Sequence, residues 1–498
     1  MQFAMFGFLA LAAGAAQAQP VDPAALLHVA TVDERFQSYN VEMVEVTGGR
    51  FWKPYRLGPP KDAADRYAYR PPIDLGNKRL RRLAVALGPA YIRVSGTWAS
   101  ATYIARRDGE ATPAGFTTVL TPSQWRGMAA FAKATRGELV LSAPTSSGTR
   151  DADGVWDSAQ LEALLKQSRA LGMTIAGVAF MNEPNLIGAT GAPADYDVAD
   201  YARDYARFVA AVRNVALGVR VLGPGAVGGA GLEPLAAAGG LKILPARDLV
   251  AAAQPPVNIY TYHHYGSVSQ RCATSGPLAT KPTDALDLAW LARTDETFTY
   301  HKGLRDQYAP NTPIWVTETA QAACGGSPWA ATFADVPRYI DQLGRLARSG
   351  VSAVFHNTLA ASDYALLDER DFSPRPSYWA ALLWGRLMGT KVLKVEAESA
   401  TMRVYAHCLK GKPGGVGLVA VNLAPTAATI RFVGTGQLYA LAGALDGAAT
   451  NLNGGLLALG RNDTMPALKA VKANGSAPVA AAGISFVALP NAGSPACQ

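Results

Sequence analysis

Charge is scarce in this chain: 17% of its 498 residues are Asp, Glu, Lys or Arg, against 49% apolar. A disordered chain needs the opposite balance, so a sizeable buried core is expected. No Gly-X-Y period underlies the 49 glycines and 32 prolines, which excludes a collagen-like fibre. Cysteine is limited to four residues with no C-x-x-C, a pattern that fits disulfides better than a metal cluster. Also missing are an internal repeat, a Lys/Arg run of the nucleic-acid type, a zinc-finger or helix-turn-helix signature, a Walker A loop, G-x-S-x-G and H-E-x-x-H. The net charge of +8 therefore speaks for an anionic partner or simply for solubility, and nucleic acid is not expected.

Long apolar runs are missing as well. Phe3 to Ala13 is too short for a span of about 20 residues, so no integral membrane helix is expected. Followed by Ala16-Gln17-Ala18, it reads as a signal peptide over residues 1–18, although a basic n-region is lacking. The stretch after Lys472 is apolar, but Pro478, Pro490 and Pro495 break it. An exported protein, secreted or periplasmic, is the expectation. Of the three possible pairings of four cysteines, Cys272–Cys324 with Cys408–Cys497 is the one the domain division below favours; Cys272 and Cys324 as free thiols is the alternative.

Short β-rich runs alternate with helix-period segments. Ser38–Val46, Tyr91–Gly96, Glu138–Ala143, Ile175–Phe180, Val219–Gly223, Val257–Tyr262, Ile314–Thr319 and Ser352–Thr358 read as strands. Ser123–Thr135, Ser158–Leu171, Ala199–Leu217 and Val336–Ser349 are among the helices between them. Eight alternations predict an α/β chain, a (β/α)8 TIM barrel over 37–390. After Lys391 the texture changes to short strands, Met402–His407, Gly417–Asn422, Thr429–Val433 and Ile484–Leu489, with no long helix between them. An antiparallel β-sandwich over 391–498 is expected, with residues 19–36 adding a strand to it.

Active residues of such barrels sit at the C-terminal ends of strands. Two glutamates do so, Glu183 in Asn182-Glu183-Pro184-Asn185 and Glu318 in Trp315-Val316-Thr317-Glu318-Thr319, after the fourth and seventh strands. Either alone could merely cap a helix or pair with an arginine. Together they form the carboxylate pair that glycoside hydrolysis requires, one protonated to donate and one ionised to attack. Asn182 is placed to hold the neighbouring sugar hydroxyl.

The surrounding residues resemble glycoside hydrolase family 79, the heparanase and β-glucuronidase family, and its heparanase branch most closely. The resemblance rests on the two motifs above, on Tyr262-His263-His264-Tyr265, on Tyr364-Ala365-Leu366-Leu367-Asp368, on Ser377-Tyr378-Trp379, on Leu387 to Leu393, and on Arg403 to Cys408. It implies a retaining enzyme acting on β-linked glucuronic acid, with Glu183 as acid/base and Glu318 as nucleophile. Glu42, standing where the family has an Asp, and Thr97, Asn182, Tyr265 and Tyr364 would contact the sugar. The uronic carboxylate would meet backbone N–H groups around Cys324, Gly325 and Gly326, with the Tyr364 hydroxyl. Cys408 would be bridged to the cysteine near the C-terminus, Cys497. No metal or organic cofactor is implied.

The chain departs from the family at Gly228, where heparanase has a glutamine, in lacking the processed linker, and in the basic aromatic tract Gly48–Pro72. That tract either grips an anionic polysaccharide or is a solvated, partly disordered loop. His263 and His264 are adjacent in a strand and face opposite ways, so they cannot share a metal; either one touches substrate or is a core histidine. Tyr265 either packs or lines the site. Gly223-Pro224-Gly225-Ala226-Val227-Gly228 fits G-x-G-x-x-G, but Pro224 argues for a loop and against a dinucleotide site. The expected partner is a uronic-acid-containing oligo- or polysaccharide, cleaved by a monomer. Endo action on heparan-sulfate-type or other acidic chains is the first expectation; exo action on other glycans and non-catalytic binding of acidic polysaccharide are the alternatives.

Overall fold

The computed structural model describes residues 20–397 and 399–498; the signal segment read over 1–18 lies outside the described residues. Eight strands close a barrel in which every neighbouring pair is parallel. In chain order they are Gln37–Asn40, Tyr91–Val94, Glu138–Ser142, Ile175–Ala179, Arg220–Val227, Ile259–Tyr265, Ile314–Ala320 and Ala353–His356. They are covered outside by helices including Pro122–Thr135, Val198–Val215, Leu288–Tyr308 and Asp335–Arg348. Because both faces of such a strand are buried, the strands read as nearly continuous apolar runs. Inside, toward the strands' N-terminal ends, Tyr91, Val140, Leu222, Ile259, Trp315 and Phe355 fill the lumen. The rings of Tyr91 and Trp315 lie 4.6 Å apart, so the barrel is plugged below its mouth.

Two readings of the strands are corrected. The first strand stops at Asn40 instead of running to Val46, and Met43–Thr47 is a short helix. The Glu45 carboxylate accepts the Glu42 N–H at 2.6 Å, half of a capping box, and so starts a helix there. The fifth strand, in turn, runs on through Gly223-Pro224-Gly225 to Val227, where a loop was expected. Gly223 pairs with Tyr260 and Pro224 with Thr261, and the register shifts between Pro224 and Ala226, which absorbs the proline's missing donor. No helix opens there, so the glycine motif has no dinucleotide geometry.

The C-terminal part is one antiparallel hydrogen-bonded sheet. Besides the four expected strands it contains Met388–Leu393 and Val471–Val479, which glycine and proline had hidden. His28–Thr31 joins its edge against Met388–Leu393. Strand Ala428–Ala442 changes register between Arg431 and Thr435, so that Ile430, Phe432, Ala477 and Val479 close a second core over Val404, Leu418 and Val487. This is the expected sandwich. It is docked to the barrel through helix Asp335–Arg348: the Tyr405 ring lies so close over Gly344 that a Cβ there would sit 2.3 Å from it. The Tyr405 hydroxyl donates to Asp341 at 2.6 Å.

Disulfides join Cys272 to Cys324 and Cys408 to Cys497. The second ties residues 89 apart and holds the C-terminus to the sandwich. Replacing Cys408 and Cys497 together by Ser is expected to cost about 2–4 kcal/mol of sandwich stability, since the cross-link restricts the unfolded chain. Urea denaturation with and without reductant checks this: reduction should move the wild-type midpoint and leave the variant's transition for this part unchanged.

Candidate active site

The barrel mouth is built around a buried cation that the sequence reading missed. Arg93, third residue of the second strand, is 4% exposed. Its Nη1 donates to Glu318 Oε2 at 2.8 Å, and its Nη2 donates to Asn182 Oδ1 at 2.7 Å and reaches His263 Nε2 at 3.3 Å. A guanidinium cannot accept, so His263 accepts at Nε2 and keeps its proton on Nδ1. That nitrogen lies 3.0 Å from Glu183 Oε1 and 3.7 Å from Glu318 Oε2. A charged residue inside the otherwise apolar Tyr91-Ile92-Arg93-Val94 was the available signal, because a buried charge must be paired.

Glu183 follows the fourth strand in the left-handed region at φ +48°, an uncommon conformation for a residue with a Cβ. The following Pro184 disfavours the helical alternative, and Leu186 N–H closes a turn onto Glu183 O at 2.9 Å. Glu318 lies within the seventh strand and is almost wholly buried. Tyr265 OH donates to its Oε1 at 2.6 Å, and Asn357 Nδ2 approaches the same atom at 3.4 Å. Burial by itself pushes this carboxyl up; His263, the Arg93 guanidinium and the donated hydrogen bonds more than reverse that and hold it below the usual carboxylate value.

Glu42 is the counterweight. Burial first, then the charge of Glu318, push its carboxyl well above the ordinary range, and its Oε2 has no hydrogen-bond partner among the described residues. It lies so close to Gly96, itself at φ +85°, that a Cβ at that position would fall 1.5 Å from Oε2. Only glycine fits there. Burial likewise pushes Glu45 up to about 7.

Of the other expected contacts, Thr97, Tyr265, Cys324 and Tyr364 line the cleft, and Gly325 and Gly326 follow Cys324 in its loop. Asn357, also not singled out from sequence, donates to the hydroxyls of Tyr265 (3.0 Å) and Tyr364 (2.8 Å). Asn182 Nδ2 reaches Thr97 Oγ1 at 3.5 Å, which leaves Thr97 at the margin. Cys324, Gly325 and Gly326 have φ of 60°, 78° and 76° in succession. Their carbonyls are turned away: Ser269 and Arg271 donate to Cys324 O, Asp363 N–H to Gly325 O and Arg271 to Gly326 O. The loop's N–H groups are what remain for an anion. His263 faces the carboxylates, whereas His264 packs against Thr294 and Thr297, and burial lowers it to about 3.

The tract Gly48–Pro72 is not a disordered loop. Gly49–Trp52 and Tyr67–Arg70 form an antiparallel hairpin, because Trp52 stacks on Tyr67 at 4.9 Å and Phe51 meets Trp98 at 4.5 Å. Trp52 also packs on Gly325. Arg271, beneath it, lies 3.9 Å from the Tyr55 ring centre, donates to Lys53 O and pairs with Asp363. Several of the tract's cations are taken up internally, Lys53 by Asp65, Arg56 by Glu369 and Arg50 by the carbonyls of Ala64 and Tyr67. The hairpin forms one wall of a cleft of 1920 Å³ that contains Glu42, Thr97, Glu183, Tyr265, Glu318, Cys324 and Tyr364.

One atom each of Glu183, His263 and Glu318 lie within 4.8 Å of one another. A divalent cation would fit by distance, but the Arg93 guanidinium already occupies Glu318 Oε2 and would repel it. The same separation suits two carboxyls acting on one sugar: about 5–5.5 Å marks retaining pairs and about 6.5–9.5 Å inverting ones.

No family model matches the chain. It is 36% identical over 169 residues to heparanase-like protein 1 of Arabidopsis thaliana, 34% of this chain and 30% of that protein. It is 30% identical over 241 residues to a heparanase of Gallus gallus, 45% and 44% of the two chains. With the baicalin-β-D-glucuronidase of Scutellaria baicalensis it shares 31% identity over 187 residues, 35% of each. The chain thus spans less than half the length of these curated relatives. The resemblance read from the motifs is found by direct comparison too. Among solved structures, a 4-O-α-L-rhamnosyl-β-D-glucuronidase from Fusarium oxysporum 12S superposes over 95% of this chain and 99% of its own, at TM-score 0.65 and 15% identity, which bears out the fold.

Arg93→Met tests the electrostatic centre. Loss of the guanidinium removes a positive charge that favours ionised Glu318, so the carboxyl stays protonated to higher pH. The acid limb of a pH–kcat/KM profile should move up by about one unit or more, where one unit corresponds to ~1.4 kcal/mol of lost charge stabilisation.

Proposed function

We propose that this protein is a retaining glycoside hydrolase of heparanase-like type that cleaves β-linked glucuronic acid from oligo- or polysaccharides or other glucuronides. The observation that carries the reading is the close approach of the two carboxyls, one oxygen of each within 4.8 Å of the other, with Glu318 held below the usual carboxylate range inside a cage of donors and Glu183 opening on the cleft. Glu318 attacks the anomeric carbon while Glu183 gives its proton to the glycosidic oxygen, forming a glycosyl-enzyme and releasing the leaving group. Glu183, now a carboxylate, takes a proton from water, which displaces Glu318 with configuration retained. Neither step needs a metal.

Support for glucuronic acid as the sugar comes from two sides. Stretches of the chain are similar to heparanases and to a β-glucuronidase. The loop Cys324–Gly325–Gly326 offers N–H groups beside the Tyr364 hydroxyl, and such donors suit a carboxylate without a desolvated counter-charge. Glu42 and Tyr265 line the cleft and Asn182 lies behind it on Arg93, as the contacts proposed for the ring hydroxyls. We further propose export, to which two disulfides are suited; no helix among the described residues is long and apolar enough to cross a membrane.

Three proteins decide the matter: wild type, Glu318→Gln and Glu183→Gln, assayed on β-D-glucuronides. Wild type should release the β-anomer first, seen by proton NMR. Glu318→Gln should be silent on all of them. Glu183→Gln should lose roughly 10²–10⁴-fold on alkyl glucuronides and much less on a nitrophenyl glucuronide, whose leaving group needs no proton. First release of the α-anomer, or equal turnover of β-D-glucosides, overturns the proposal.

A further inference from the structure

The cleft is chemically lopsided. In the closed strand order, the loops after the first and second barrel strands stand across the mouth from those after the fifth and sixth. On the first side the lining is Arg50, Trp52, Arg66, Tyr67 and Trp98. On the other side it is Leu232, Leu235, Leu241, Val268 and Leu278, with Ile187 of the fourth-strand loop beside them. Leu235 and Leu241 are 44% and 57% exposed. A single exposed leucine is ordinary, but six apolar side chains along one wall of a cleft form a patch that calls for an occupant.

The position of Glu183 names that occupant. It follows the fourth strand, so the glycosidic oxygen it would protonate lies on that side of the mouth, and the leaving group carrying that oxygen lies next to the loops of the fourth to sixth strands. We infer that this wall is a leaving-group subsite for an apolar, aryl-type aglycone and not for a sulfated or carboxylated sugar; the inference rests on the glucuronidase reading above. Anionic sugars call for several unpaired cations. Among the described residues of this wall the cations are only two, Lys242 and Arg293, against six apolar side chains, and each is directed to a backbone carbonyl, Lys242 to Ala194 O at 3.0 Å and Arg293 to Gly266 O at 2.6 Å. Glu296 adds a negative charge beside them. An aryl group, by contrast, gains by leaving water against leucines and needs no counter-ion.

Phenyl and biphenyl-4-yl β-D-glucuronide separate the aglycone's apolar area from its leaving ability, because the two phenols ionise alike. Wild type should favour the biphenylyl compound by at least about tenfold in kcat/KM, most of it in KM, as expected for burying a second ring. The double variant Leu235→Lys, Leu241→Lys should shrink that preference to about twofold or less, and because both positions are exposed it should fold. A sulfated oligosaccharide with an internal β-glucuronide should be cleaved more slowly than the biphenylyl compound. Equal kcat/KM for the two aryl compounds, an unchanged preference in the double variant, or faster cleavage of the sulfated chain overturns the inference while leaving the glucuronidase reading intact. Failure of folded wild type on every glucuronide overturns both.

Discussion

The site depends on one buried guanidinium. A carboxylate as enclosed as Glu318 could not stay ionised without compensation, because moving such an ion out of water costs several kcal/mol even after relaxation. Arg93 supplies that compensation and, with its remaining donors, fixes Asn182 and the tautomer of His263. One cation cannot serve every acid around it. Glu42, held between Gly96 and Glu318, is the carboxyl that Arg93 compensates too little, so burial and the charge of Glu318 keep it protonated to higher pH than its neighbour. Charge is thus sorted among three nearby glutamates: one ionised, one kept neutral, one facing the cleft and the His263 proton.

A second buried arginine organises the other edge. Arg271 draws the carbonyls of Lys53, Cys324 and Gly326 toward itself and pairs with Asp363. The neighbouring Cys272–Cys324 bridge fastens the same loop covalently to the sixth-strand loop. With its carbonyls engaged in this way, the left-handed run Cys324–Gly326 has its N–H groups left over, and Cys324 lines the cleft. The two glycines there answer to space as well as to φ, since added Cβ atoms would fall 2.7 Å from Trp52 and 2.9 Å from Tyr364. The hairpin that carries Trp52 is in this sense part of the loop's support, and much of its basic charge is spent holding itself and its neighbours together.

The two halves of the cleft then differ for a structural reason. The first-strand side is built from an aromatic hairpin with strong internal pairing, the fourth-to-sixth-strand side from glycine-rich turns around the short helix Leu232–Ala238. Small residues there leave Leu235 and Leu241 exposed along the cleft. On the proposed mechanism, an acid just after the fourth strand and a nucleophile on the seventh would divide the same space into a sugar side and a leaving-group side. Composition of the walls and order of the strands thus describe one asymmetry from two directions.

Much of this was legible in the sequence. Alternating apolar runs and helix periods are local properties, so the eight strands, the barrel and the change to antiparallel texture after Lys391 could be read directly. Glu183 and Glu318 were legible because each ends or occupies a strand whose place in the count sets its position at the mouth. Strand limits were less so: Gly223-Pro224-Gly225 looks like a turn, and only pairing with Tyr260 and Thr261 makes it a strand. The tertiary structure alone decided that Arg93, Asn357 and Arg271 belong to the site, since their partners lie up to hundreds of residues away; the one local mark, a charge inside the apolar strand of Arg93, says that it is paired but not with what. It also decided that Gly48–Pro72 is an ordered wall, because aromatic stacking against Trp98 and Gly325 is a contact between distant segments. The types of residue and their periodicity determined the chemistry available; closure of the barrel determined which charges meet, and hence which carboxyl is ionised and which is not.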